Sequence, residues 1–315
     1  MYFFFAITCI LGCQSTHPPP KLQQKIDLQG HRGARGLAPE NTLPGFEEAL
    51  RHKMHTIELD TVLTKDNQLI IHHDTHTNPD ICQTKSGQSI SSQPIRQVTT
   101  AVLKTFDCGS LPNSRFPQQK RVPQTELMTL GEFFTWGKQQ LLQHPRLQFN
   151  IEVKFPAAPN PQDVDVAVDV FLTTVRQASL QKQIIVQSFY LPFLDKIALK
   201  NPDIRRSALY MPTTAQAAQL MAGLTANRDD IIQDAHQRKV HIISPYHYYV
   251  NADFIAKAHQ HKLLVIPWTV NEKDRMQELL QVGVDGVISD YPDRLRQVYE
   301  ELRQPASHPS HNPPP

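Results

Sequence analysis

A (β/α)8 TIM barrel is the fold the sequence predicts, on three observations. Eight short apolar, β-rich runs recur along the chain, and nearly all are followed by a stretch with helical periodicity, the pattern of parallel β/α units. The length of 315 residues, with 40% hydrophobic and 20% charged residues, suits one barrel of ordinary size. The charged residues within the runs gather at or near their C-terminal ends, the face on which this fold builds its sites.

The eight barrel strands are expected at 28–31, 56–62, 147–154, 183–188, 204–210, 240–244, 263–269 and 286–289. An extra extended run at 69–73 follows the second strand through the turn-like Lys65-Asp66-Asn67. The first helix has a capping residue in Asn41 or Thr42, Pro44 in its first turn, and Phe46, Ala49 and Leu50 on one face. Residues 76–126 are rich in Pro, Gly, Ser and Gln and read as an insertion after the second strand. A loop of that length in a compact domain is usually functional, for instance as a lid.

The first residues predict export. Residues 2–11 are almost wholly apolar and run into Gly12-Cys13, then polar Gln14-Ser15-Thr16 and three prolines. Such an order resembles a lipoprotein signal over residues 1–12, with Cys13 the lipidation candidate; an ordinary cleaved secretory signal is the alternative. A membrane-spanning helix needs roughly 20 apolar residues, more than this run offers. Either signal implies an extracytoplasmic protein, periplasmic or on the outer surface, with membrane anchoring only through Cys13. Residues 13–26 then form a linker, 27–304 the barrel domain, and 305–315, dominated by proline, a disordered tail. In an oxidising compartment Cys82 and Cys108 either pair within the insertion or stay as separate thiols; their spacing fits no zinc motif. A net charge of +2, with no basic block interleaved with aromatics, gives no nucleic-acid footprint. No protein partner is expected.

Glu58 and Asp60 lie two apart in a strand, so both project from one face, and Glu152 and Lys154 repeat that spacing in the third barrel strand. Two carboxylates about 4 Å apart repel by about 4 kcal/mol at an effective dielectric near 20, so three would converge only around a cation. Oxygen ligands alone favour a hard ion, Mg2+ or Ca2+, over zinc. Scattered salt bridges to Arg32 and Lys154 are the plainer alternative. His31 ends the first strand and His73 the extra one, and imidazoles near neutral pKa serve as acid and base in phosphodiester cleavage. Arg32, as a bidentate donor, and Lys154, as a point charge, suit phosphoryl oxygens. His72 must face away from its neighbour His73 and is assigned a structural role, as are the other histidines of the domain.

These residues fall in an ordered set that resembles the glycerophosphodiester phosphodiesterase family. The set runs through His31-Arg32-Gly33, Pro39-Glu40-Asn41-Thr42, Glu58-Leu59-Asp60, Thr64-Lys65-Asp66 and His73-Asp74 to Ile151-Glu152-Val153-Lys154. Ser188-Phe189, Trp268-Thr269-Val270-Asn271, Gly283-Val284-Asp285-Gly286 and Ser289-Asp290-Tyr291-Pro292 follow in family order. The resemblance implies that His31 and His73 are the acid/base pair and that Glu58, Asp60 and Glu152 hold one divalent cation. It also implies that Arg32 and Lys154 hold the phosphate, with Glu40 and Trp268 on the glycerol side. In such enzymes the glycerol 2-hydroxyl attacks phosphorus and expels the alcohol as a cyclic phosphate forms, which water then opens to sn-glycerol 3-phosphate. Two departures, at Thr75-His76-Thr77-Asn78 and at the displaced Met128-Thr129-Leu130, lie in or beside the insertion and bear on headgroup choice. The rival readings are a lysophospholipase D-like or sphingomyelinase D-like enzyme on the same barrel, and a non-catalytic phosphodiester-binding lipoprotein. A binder has no need for both His31 and His73.

Overall fold

The computed structural model describes residues 25–224 and 226–304. The signal, Cys13, most of the linker and the tail lie outside the described residues. Eight parallel strands form the barrel: β1 (Asp27–Gly30), β2 (Thr56–Leu63), β3 (Gln148–Val153), β4 (Ile184–Ser188), β5 (Arg205–Tyr210), β6 (Ile242–Pro245), β7 (Leu264–Val265) and β8 (Gly286–Ser289). Neighbours pair in order from β1 through β7, and β8 lies against β1 with Asp27 opposite Gly286. Backbone hydrogen bonds from Asp285 N to Val265 O (3.0 Å) and Ile288 N to Pro267 O (3.0 Å) close the ring between β7 and β8.

The predicted strand at 263–269 is shortened to β7, for a local reason. Ile266 N and Trp268 N still donate to β6 carbonyls at 3.1 and 3.2 Å, but Pro267 between them faces β8 and has no N–H to donate on that side. The helix after β1, Leu43–Arg51, is capped by Thr42, whose hydroxyl accepts from Gly45 N. Of the two expected capping residues, Asn41 sits instead at φ +56° and gives its amide to the site. Gly33, at φ +80°, passes so close to Gly45 that a Cβ would lie 2.6 Å from its carbonyl, so only glycine fits this crossing.

Strand alternation sets the layers. Ile57, Leu59, Phe149 and Ile151 face outward and pack under the helices with Phe46 and Phe133, all essentially buried. Inside the barrel, Ile185, Ile242, Ile266 and Ile288 form a small apolar plug. Among the described residues no helix is long and apolar enough to cross a membrane.

After β2 the chain turns at Thr64, whose hydroxyl bonds Asp66, with Asn67 at φ +56°. The short strand Leu69–Ile71 returns antiparallel, Ile71 opposite Thr61. His72 N then donates to Asp60 O (3.1 Å), which brings His73 back beside the upper end of β2. The insertion at 76–126 has its own core, with Cys82, Ile95, Val98, Leu103, Phe106 and Cys108 against Val62, Ile70 and Leu127. Cys82 and Cys108 form a disulfide, with sulfurs 2.04 Å apart, which settles the pairing the sequence left open.

Candidate active site

A pocket of about 730 Å3 opens at the C-terminal mouth of the barrel, lined by His31, Arg32, Glu40, Glu58, His73, Glu152, Lys154 and Trp268 among others. The strand spacing explains the convergence. Glu58 and Asp60 project inward from β2, and register pairs Asp60 with Glu152 of β3, so both strands deliver carboxylates at one level. Ligand oxygens of Glu58, Asp60 and Glu152 all lie within 4.8 Å of one another, and the three residues are buried.

Each carboxylate has fixed neighbours. Glu58 accepts from Gln187 Nε2 at 2.8 Å and from Arg32 N at 2.7 Å. Gln187 is itself held by Asn150 (3.0 Å), which also donates to Gln29 (2.9 Å), so an amide ladder inside the barrel supports Glu58 from below. Asp60 accepts from Asn41 Nδ2 at 2.9 Å and faces Arg32 Nε (3.3 Å) and Lys154 Nζ (3.2 Å). Lys154 also reaches Glu152 at 2.8 Å. Arg32, at φ +49°, spans this group and binds Glu40 at 2.7 Å.

The electrostatics are those of an overfilled acidic site. Burial, and next the charge of Asp60, push the Glu58 carboxyl well above the usual range. Burial also raises Glu152. For Asp60 burial acts in the same sense, but Lys154 and Arg32 outweigh it and hold the carboxyl well below its ordinary value. Asp60 Oδ1 and Glu152 Oε1 are buried without a well-directed hydrogen bond, although Lys154 is near both. Clustered oxygen donors with unfilled acceptor positions fit a hard divalent cation.

The two imidazoles flank this cluster. His31 Nδ1 pairs with Asp290 Oδ1 at 2.6 Å, and its Nε2 lies 4.0 Å from Glu58 Oε2. Burial pushes His31 down to about 4, with Asp290 pulling the other way. His73 Nδ1 pairs with Asp74 Oδ1 at 2.7 Å. His72 is buried and bonds the Asp74 carbonyl at 2.9 Å, away from the pocket, as expected for a structural histidine. Trp268 donates from Nε1 to Ser244 O (2.7 Å) and stacks edge-on with Phe189 at the pocket rim.

Residues 31–294 match the Glycerophosphoryl diester phosphodiesterase family. The chain belongs to that family. It is 30% identical over 279 residues to a glycerophosphodiester phosphodiesterase of Bacillus subtilis (strain 168), covering 87% of this chain and 86% of that one. A glycerophosphodiester phosphodiesterase of Caldanaerobacter subterraneus subsp. tengcongensis is 23% identical, covering 84% and 94%. Among solved structures, a Silicibacter pomeroyi DSS-3 protein assigned by name to glycerophosphoryl diester phosphodiesterases superposes with TM-score 0.80 at 26% identity, covering 89% of this chain and 95% of that one. An Oleispira antarctica phosphodiesterase, solved with the product sn-glycerol-3-phosphate, has the same fold at TM-score 0.66 and 20% identity, covering 90% and 97%. As a member of this family the protein is an enzyme, a phosphoric diester hydrolase.

Every site residue singled out in the barrel lines or adjoins this one pocket. Sequence reasoning missed several of their neighbours in the glycerophosphodiester phosphodiesterase site. Gln187 is one residue before Ser188 and in inward phase with Ile185, a signal that alternation carries. Asp290 stands just past the end of β8, where the strand-end rule already found the other charged groups. Arg35 lines the pocket from the loop after β1, and nothing in its local sequence marks it.

Proposed function

We propose that this pocket hydrolyses glycerophosphodiesters to sn-glycerol 3-phosphate and an alcohol. The observation that carries the reading is the convergence of three buried carboxylates, two imidazoles and two cationic side chains on one cavity. Glu58, Asp60 and Glu152 would hold one divalent cation, Mg2+ or Ca2+. When bound, the cation supplies Lewis-acid stabilisation of charge on the phosphoryl oxygens.

The protein's own groups do the rest. Arg32 and Lys154 draw the phosphate into the pocket as charged donors, and Glu40 with Trp268 bounds the glycerol side. One imidazole of the pair His31 and His73 takes the proton of the attacking glycerol hydroxyl as its oxygen bonds to phosphorus. The other gives a proton to the departing alkoxide as the phosphorus–oxygen bond breaks. A cyclic phosphate results, and water opens it with the two imidazoles exchanging roles. Purified protein should release glycerol 3-phosphate from glycerophosphocholine only with Mg2+ or Ca2+ present. His31→Ala and His73→Ala should each lower kcat by ~10²–10⁴-fold with the thermal transition retained. Near wild-type turnover in either variant would remove its acid/base role.

A second substrate class has one observation in its favour. Phe189 and Met211 line the pocket rim and are 41% and 60% exposed, a surface that suits an acyl chain. Lysophosphatidylcholine in the same assay separates the two classes.

An extracytoplasmic location with Cys13 lipidated is part of the proposal, supported by the disulfide, which persists in oxidising compartments. Radiolabelled palmitate should enter the full chain and not Cys13→Ser. Equal labelling of both would rule out that anchor.

A further inference from the structure

Both imidazoles of the site are pinned in the same way. His31 Nδ1 meets Asp290 Oδ1 at 2.6 Å, and Asp290 Oδ2 accepts from Asn271 Nδ2 at 2.8 Å. His73 Nδ1 meets Asp74 Oδ1 at 2.7 Å, and Asp74 Oδ2 accepts from Asn78 Nδ2 at 2.8 Å. In each relay the aspartate fixes the Nδ1 side of the ring and leaves Nε2 as the working nitrogen, while the asparagine stops the carboxylate from turning.

The insertion touches both relays. Asn78 belongs to it directly, and its backbone carbonyl accepts from Cys82 N at 3.0 Å, so the asparagine sits on a turn that ends at the disulfide. The second contact is from the other arm. The Phe116 ring lies 4.6 Å from the Arg35 guanidinium, and Arg35 Nε lies 3.1 Å from Asp290 Oδ1. Gln119 Nε2 donates to Arg35 O (2.7 Å), and Lys120 N to Leu37 O (2.9 Å), seating this arm on the loop after β1. The Cys82–Cys108 disulfide joins the two arms, one a turn beyond Asn78 and the other leading into the segment that carries Phe116.

We propose that the insertion is a two-armed positioning device: Asn78 sets His73 through Asp74, Phe116 sets His31 through Arg35 and Asp290, and the disulfide keeps both arms in place. Asn78, Asp74, Phe116, Arg35 and Asp290 are positioning residues here. The inference rests on the acid/base reading of His31 and His73. A proton-transfer group displaced by about 1 Å loses on the order of 10²-fold in rate, so small slack in either arm is costly.

The test is steady-state hydrolysis of glycerophosphocholine at saturating divalent ion by Asn78→Ala, Phe116→Ala, the double variant and Phe116→Trp. Each alanine variant should lose about tenfold in kcat with KM within about twofold, and the double variant about a hundredfold, because the arms act on different imidazoles. Phe116→Trp keeps an aromatic face over Arg35 and should keep kcat close to wild type. Unchanged kcat in both alanine variants, or a loss confined to KM, would overturn the proposal. If an alanine variant does not fold, Cys82→Ser/Cys108→Ser decides: kcat must fall at constant KM while the barrel keeps its circular dichroism, and unchanged kcat overturns the idea. His31→Ala and His73→Ala run alongside. Turnover retained by those variants sinks the acid/base reading itself, whereas turnover lost there but kept in the arm variants sinks only this inference.

Discussion

Glu152 shows how charge is balanced at a single position. Its carboxylate is buried beside Asp60 and is ion-paired with Lys154. Without a divalent ion its negative charge is costly; with one bound as proposed, it would be a ligand. Glu152→Gln should therefore raise the thermal midpoint of ion-free protein, by relieving the burial of a charge and its repulsion with Asp60, and abolish the further rise that Mg2+ or Ca2+ gives the wild type. Thermal shift with a chelator and then with added ion measures both effects. An unchanged ion response in Glu152→Gln would take the residue out of the ligand set. Residue-level reading from sequence found this acidic cluster because its members carry their own signal: acidic residues two apart in a strand have no good structural reason to be there. Arg35 and Asn78 carry no such signal, since a polar residue in a loop is unremarkable until its partner is known.

At the scale of elements, the regular strands were legible, whereas the insertion was legible in its bounds and not in its internal order. Apolar runs announce strands because each must bury one or both faces. The insertion instead buries single residues scattered along some fifty positions, such as Ile95, Leu103 and Phe106, so its small core leaves no periodic trace. Its far arm is organised around Asp107, whose carboxylate accepts from Gly109 N (3.0 Å), Thr125 N (3.2 Å) and the Ser110 hydroxyl (2.5 Å). Burial opposes ionisation of Asp107, but these donors outweigh it and lower its pKa below the ordinary 3.8. A carboxyl with a folded pKa below its unfolded value adds stability that is present above pH 3.8 and lost as pH falls through the folded pKa. Hydrogen exchange in 109–125 should accelerate over that acid range while β2 and β3 stay protected. Asp107→Asn should show the faster exchange already at neutral pH and little further change on acidification. Equal protection of the two proteins at neutral pH would mean that this carboxylate does not organise the arm.

The whole molecule depends on how its ends meet. β8 is hydrogen-bonded to β1 on one side and to the β7 segment on the other, and the residue just past it, Asp290, holds His31. A chain stopped after Val284 lacks both functions. It should show no phosphodiesterase activity and no single sharp thermal transition by circular dichroism, because β1 and β7 are left as open edges. A cooperative melt in the shortened chain would mean that the first seven strands are self-sufficient. The sequence indicated eight strands but not this dependence, since the contact between residues 31 and 290 arises only from ring closure.

The join between β1 and β8 also governs when the protein comes to life during its synthesis. His31 leaves the ribosome 259 residues ahead of its aspartate partner. Until that moment the nascent polypeptide holds its histidine unanchored and its first strand unpaired on one edge. Catalysis is thus withheld until translation has passed the last barrel strand and Asp290.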